Sequence, residues 1–117
     1  FQVYSAGNFV EATTDTPFFQ IGETKYGKPI LDRAVNHATT LKEAIKIALI
    51  SMDSTLRSNL TVGMPVDLTV IRRGSHTVAL QKRITEADPY FAQAREDWSQ
   101  SLRAALKTMP SPGWLQD

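Results

Sequence analysis

The chain has 117 residues, with 13 Lys+Arg against 12 Asp+Glu, a hydrophobic fraction of 42% and no cysteine. Balanced charge excludes a basic nucleic-acid footprint and a solvating acidic tail, and the apolar content is that of a folded chain of one domain's size. Without cysteine there are no disulfides, zinc ribbons or thiol nucleophiles within the chain, and no apolar run approaches the ~20 residues of a membrane helix. Neither nucleic acid nor a membrane is therefore an expected partner, and the expected compartment is the cytoplasm.

The chain opens on FQVYSAGNFVEA, already in strand pattern and without a Met, as a processed chain or a piece of a longer protein would. Residues 1–4 and 9–12 are short apolar runs around Gly7 and Asn8, which tolerate positive φ, so a hairpin is expected. A polar loop ends at Pro17. Residues 18–21 then read as a third strand that stops at Gly22.

Residues 22–29, GETKYGKP, carry the spacing G-x-x-x-x-G-K at this strand-to-helix junction. A phosphate-binding loop needs a hydroxyl after its Lys to hold magnesium, and glycines that let backbone amides wrap the phosphates. Pro29 offers neither hydroxyl nor amide donor, the loop interior has no glycine, and Glu23 would repel phosphate. The segment ending at Asp53 resembles a metal-assisting motif, but it has helical rather than strand periodicity. These residues argue against a nucleotide site. The plain reading is that Gly22 turns the chain from strand to helix.

A first helix is expected from about Pro29, a residue well tolerated in a first turn, with Ile30, Leu31, Ala34 and Val35 on one face until residues 36–38 break it. Thr40 and Glu43 form a capping box that starts the second helix. Leu41, Ala44, Ile45, Ala48, Leu49, Met52 and Leu56 follow at helical spacing. Ile47 and Ile50 add a second apolar side, so this helix is expected to be covered on more than one face. Val66, Leu68 and Val70 alternate with polar residues as a half-buried strand. Gly74 and Ser75 suit a two-residue hairpin turn, with Val78 and Leu80 on the return strand. Asp88 and Pro89 begin a last helix whose apolar stripe is Phe91, Ala94, Trp98, Leu102, Ala105 and Met109. The order β-β-β-α-α-β-β-α with hairpins predicts an α+β fold with antiparallel strands and packed helices, not a βαβ series.

Residues 6–35, AGNFVEATTDTPFFQIGETKYGKPILDRAV, and residues 41–74, LKEAIKIALISMDSTLRSNLTVGMPVDLTVIRRG, closely resemble the C-terminal half of the Anbu proteins. These are bacterial proteasome-type proteases related to proteasome β-subunits and to HslV. The tail after Lys82 matches less distinctively. The resemblance implies that residues 1–117 are the C-terminal part of a single αββα N-terminal-nucleophile hydrolase sandwich. It further implies a parent that hydrolyses peptide or amide bonds of a peptide or protein substrate, without a cofactor or metal, and that self-associates into an oligomer or ring. The alternative is a non-catalytic assembly module of the same fold.

In that family the nucleophile is the first residue of the mature chain, usually Thr, and its own α-amine or a nearby Lys takes the hydroxyl proton. The supporting Asp and Lys lie in the N-terminal half. Phe1 has no nucleophilic side chain, so this chain alone is expected to be catalytically inert and to associate with its missing half or with another copy. The supporting residues that the resemblance implies here are Gly22, Glu23 and Asn59. Gly22 matches the first glycine of a Gly-Ser-Gly junction. Glu23 stands in place of its Ser, either holding an ammonium group or lying solvated at a helix start. Asn59 and Val62 replace the Asp and Ser of a later motif. Asn59 can still exchange hydrogen bonds near a nucleophile, or else it closes the helix in a left-handed turn.

Asp53 and Arg57 read as a surface pair four residues apart, or as a subunit contact. His37 and His76 read as solvated turn residues without metal-ligand spacing. Trp98 and Trp114 read as core or docking residues. Residues 71–74, IRRG, read as a hairpin edge and not as a basic patch.

Overall fold

The computed structural model describes residues 1–21, 27–59 and 61–115, with the backbone alone of Phe9. They form a mixed fold of antiparallel strand pairs and helices: β1 (Gln2–Val3), β2 (Phe9–Val10), α1 (Lys28–Ala34), α2 (Leu41–Ser58), β3 (Val66–Val70), β4 (Leu80–Ile84) and α3 (Pro89–Thr108). The chain falls into two compact units, Phe1–Gly63 and Met64–Asp117.

In the first unit β1 and β2 pair antiparallel, Gln2 opposite Val10 and Val3 opposite Phe9. Gly7 turns the hairpin at φ 89°, a conformation that costs a side-chain-bearing residue more than glycine. The third strand read over residues 18–21 is not formed. A strand exists through its ladder, and among the described residues this segment receives only a side-chain bond, from Gln2 Nε2 to the Gln20 carbonyl at 3.5 Å.

Helix α1 starts as its proline predicts, with Gly27 as N-cap. Helix α2 starts on the capping box: Glu43 N donates to Thr40 Oγ1 at 3.2 Å, and Thr40 N donates to Glu43 Oε2 at 3.0 Å. These two bonds satisfy amides that the first helical turn leaves without partners. The two helices pack against each other. The buried residues of α2 are Leu49, Ser51, Asp53 and Thr55. With 3.6 residues per turn, Leu49 and Asp53 lie on one face while Ser51 and Thr55 lie nearly opposite. The helix is therefore covered on two sides, as the second apolar face of its sequence requires.

In the second unit β3 and β4 pair over five positions, from Val66 opposite Ile84 to Val70 opposite Leu80. The cross-strand pair Asp67 and Arg83 forms a fork, with Nε to Oδ1 at 2.8 Å and Nη2 to Oδ2 at 3.0 Å. The connection is not a two-residue turn. Ladder pairing ends at Leu80, so residues 71–79 form a longer loop, and exposed Val78 precedes the return strand. Gly74 does turn the chain, at φ 75°, beside a bond from Ser75 N to Arg72 O at 3.0 Å.

Helix α3 is capped by Asp88, whose Oδ1 accepts from Phe91 N at 2.9 Å. The buried apolar residues of this unit are Val70, Ile84 and Phe91. The stripe read along α3 is buried only at its start. Phe91 is 1% exposed and Trp98 is half-buried, whereas Leu102, Ala105 and Met109 are exposed. Trp114 is exposed as well, so it is not a core residue here.

Candidate functional site

Gly22 and Glu23 lie outside the described residues. The structure shows what flanks their junction. On its near side, Gln20 and Ile21 border a cleft of about 320 Å³ whose other walls include Leu31 of α1, Ala48 and Met52 of α2, and Val62. Gln20 Oε1 is buried in the described structure without a hydrogen-bond partner. A buried acceptor left unsatisfied costs about 1–3 kcal/mol, so this oxygen calls for a donor.

On the far side, Gly27 is buried against α2. Lys28, the lysine of the phosphate-loop spacing, is engaged by Asp32 one turn on, with Nζ to Oδ1 at 3.0 Å and to Oδ2 at 2.9 Å. Its charge is thus already paired within α1.

Asn59 closes α2, donating its backbone N–H to Thr55 O at 2.8 Å. Its φ is −129° and its ψ 109°, an extended conformation rather than the left-handed turn that was one reading of this position. The side-chain oxygen accepts from Thr61 N at 2.9 Å and from Thr61 Oγ1 at 2.6 Å. Both lone pairs of the carboxamide oxygen are then occupied within the loop. The carboxamide also carries an amide nitrogen, which is a donor. Val62 follows at once and reaches the cleft. Val62 of the loop after α2 and residues 20–21 before the junction therefore border the same cleft.

Asp53 is not a surface residue. Its side chain is 3% exposed while that of Arg57 is 57% exposed, and the two meet at 3.4 Å. Among the described residues, no three of His, Asp or Glu come together in a way that could hold a metal ion. No described helix is long and apolar enough to cross a membrane.

Sequence reasoning passed over Ser51 and Thr55. Ser51 reads as an interruption of an apolar run, yet both are buried. Their signal was the spacing, small hydroxyl residues one helical turn apart in the same row as Ile47.

No protein-family model matches the chain, and no curated protein does. Solved structures do. Anbu from Hyphomicrobium sp. strain MC1, as its Gly-1 mutant, is 53% identical with a TM-score of 0.88 over 94% of this chain. This is an Anbu-like chain. Anbu from Yersinia bercovieri, described as an ancestral β-subunit, is 50% identical with a TM-score of 0.87 over 98% of the chain. The Anbu complex of Pseudomonas aeruginosa, solved as a helical assembly, is 52% identical with a TM-score of 0.85 over 94% of the chain. The Anbu-like chain spans 47%, 48% and 46% of these three proteins, about half their length. Its place is therefore among the proteasome-like proteins.

Proposed function

We propose that this Anbu-like chain is the C-terminal part of one proteasome-type domain whose parent hydrolyses peptide or amide bonds through an N-terminal nucleophile. The observation that carries this reading is the match itself: about half of all positions identical over nearly the whole chain, with less than half of each relative covered. In this reading the missing part brings the nucleophile and its supporting charges. This chain brings Gly22 and Glu23 at the junction and the Asn59 amide beyond the cleft. With Phe1 in first position, the chain alone offers no N-terminal hydroxyl as nucleophile, and in this reading it is inert. The substrate is a peptide or protein, and the parent self-associates, as the P. aeruginosa relative does in its helical assembly.

Full-length protein carrying this chain should form one covalent adduct, on its first mature residue, with an electrophile directed at N-terminal nucleophiles. The 117-residue chain alone should form none. Mass spectrometry reads both. A folded, correctly processed full-length protein that takes no label would sink the peptidase reading. If that unlabelled protein still assembled, the second reading would take over: an assembly module that kept the shape and lost turnover. The replacements at Glu23, Asn59 and Val62 keep that alternative open.

A further inference from the structure

Residues 18–21 have the composition of a strand, yet no ladder partner among the described residues. Their exposure nevertheless alternates: Phe18 and Gln20 are half-buried, while Phe19 is 43% and Ile21 80% exposed. Exposure of period two is what a strand with one covered face shows. Among the described residues, no backbone N–H or C=O of the segment joins a backbone–backbone hydrogen bond. The bond it does receive, from Gln2 Nε2 to the Gln20 carbonyl, comes from β1, so the segment runs beside the first hairpin. On the covered side a further polar group is unmet, since Gln20 Oε1 is buried without a partner. Strand composition, period-two exposure and a row of unused donors and acceptors together describe an edge that another strand can pair.

We propose that residues 18–21 are the docking edge for an extended strand supplied by the other half of the parent domain. The inference rests on the reading of this chain as part of one domain, and not on the parent's chemistry as a peptidase. The Anbu structures that it matches are about twice as long, so a parent of that length has as many residues again from which to supply the strand. Covalent attachment decides between that half and a second copy. A linked segment meets the edge at an effective concentration of about mM, whereas a second copy meets it only at its solution concentration. Main-chain pairing of this kind supplies affinity, and the alternating side chains supply selectivity. Phe19 and Ile21 stand on the open side, so covering them adds an apolar driving force. The incoming half also has to bring the donor that Gln20 Oε1 lacks.

The test is hydrogen exchange at the amides of residues 18–21, in the full-length protein and in the 117-residue chain at two concentrations. In the full-length protein, alternate amides or all four should exchange at least about a hundredfold more slowly than in the chain alone. Alternate protection means one neighbouring strand, because successive amides point to opposite edges, and protection of all four means two. In the chain alone all four should exchange fast at both concentrations. Phe19→Pro and Gln20→Pro, each in the full-length protein, separate a ladder from simple burial. Proline removes a ladder donor, so the variant at a paired position should lose protection at its neighbours and lower Tm by about 5 °C or more. Fast exchange at all four amides of the full-length protein would overturn the proposal. So would slow exchange in the chain alone, which would place the partner in a second copy if it grew with concentration and within residues 1–117 if it did not. Proline variants that both keep protection and Tm would reduce the effect to burial and reject the ladder. A full-length protein that takes no electrophile yet protects these amides would end the peptidase reading and leave the pairing standing.

Discussion

Asp88 holds two groups with one carboxylate. Oδ1 accepts from the Phe91 amide at 2.9 Å, and Oδ2 meets Lys82 Nζ at 3.3 Å. The Phe91 backbone bond above all, and then the Lys82 ammonium, hold its carboxyl below the usual carboxylate value. Both partners favour the charged form. The folded state therefore binds this proton less readily than the unfolded chain, where an Asp titrates near 3.9. The stabilisation is complete above that value and is lost as pH falls through the lower folded value. Asp67, lowered chiefly by its hydrogen bond from Arg83, acts with the same sign. Tm should accordingly drop as the solution is taken below about pH 4. Asp88→Asn keeps an oxygen for the cap but has no carboxylate to protonate. In a Tm series taken from neutral to strongly acid pH, its decline should be shallower than that of the unsubstituted protein. Equal slopes would show that Asp88 is not a source of the acid sensitivity.

Among the elements, α2 and α3 were legible because their starts are local. Thr40 with Glu43, and Asp88 with Pro89, name a helix start by side chains that satisfy the first amides themselves. Thr40→Ala in the full-length protein should therefore cost about 1 kcal/mol, read from the urea midpoint at constant slope. Thr40→Ser should stay within a few tenths, because the hydroxyl is what the cap uses. A Thr40→Ala protein with an unshifted midpoint would show that the cap contributes nothing. Features set from a distance were not legible. Residues 18–21 have strand composition, but a strand needs a ladder partner, and composition does not supply one. Gly74 marks a turn correctly, yet the end of the β3–β4 ladder, not the turn residue, decides the loop length. The stripe of α3 gives the apolar face of the helix but not how far along it anything covers that face. The same limit hid Asp53, placed on the right helix and paired with the right arginine, but on a buried side. Asn59 and Val62 are singled out only by their resemblance to a motif. Nothing local marks Gly27, because what calls for glycine there is the approach of α2.

At the scale of the whole molecule, apolar surface decides behaviour. In the first unit β1 and β2 are two residues each, far below what an isolated hairpin needs to persist. The segment after them leaves Ile21 80% exposed. In the second unit two strands accompany a twenty-residue helix whose far end exposes Leu102, Leu106 and Met109, followed by Trp114 at 85% exposure. Scattered apolar residues on a surface are ordinary, but runs of them beside a short edge strand are the kind of surface that interactions cover. The chain spans about half the length of the Anbu structures it matches, and under the reading proposed above two kinds of cover follow: the other half of the domain, or a second copy of this chain. Multi-angle light scattering on the chain alone should show species larger than a monomer, with the proportion rising with concentration. Adding the complementary half should replace them with a single defined species and sharpen the thermal transition. A monodisperse monomer with one cooperative transition would show that these exposed faces need no cover, and would remove the chief physical reason for regarding the chain as part of a larger domain.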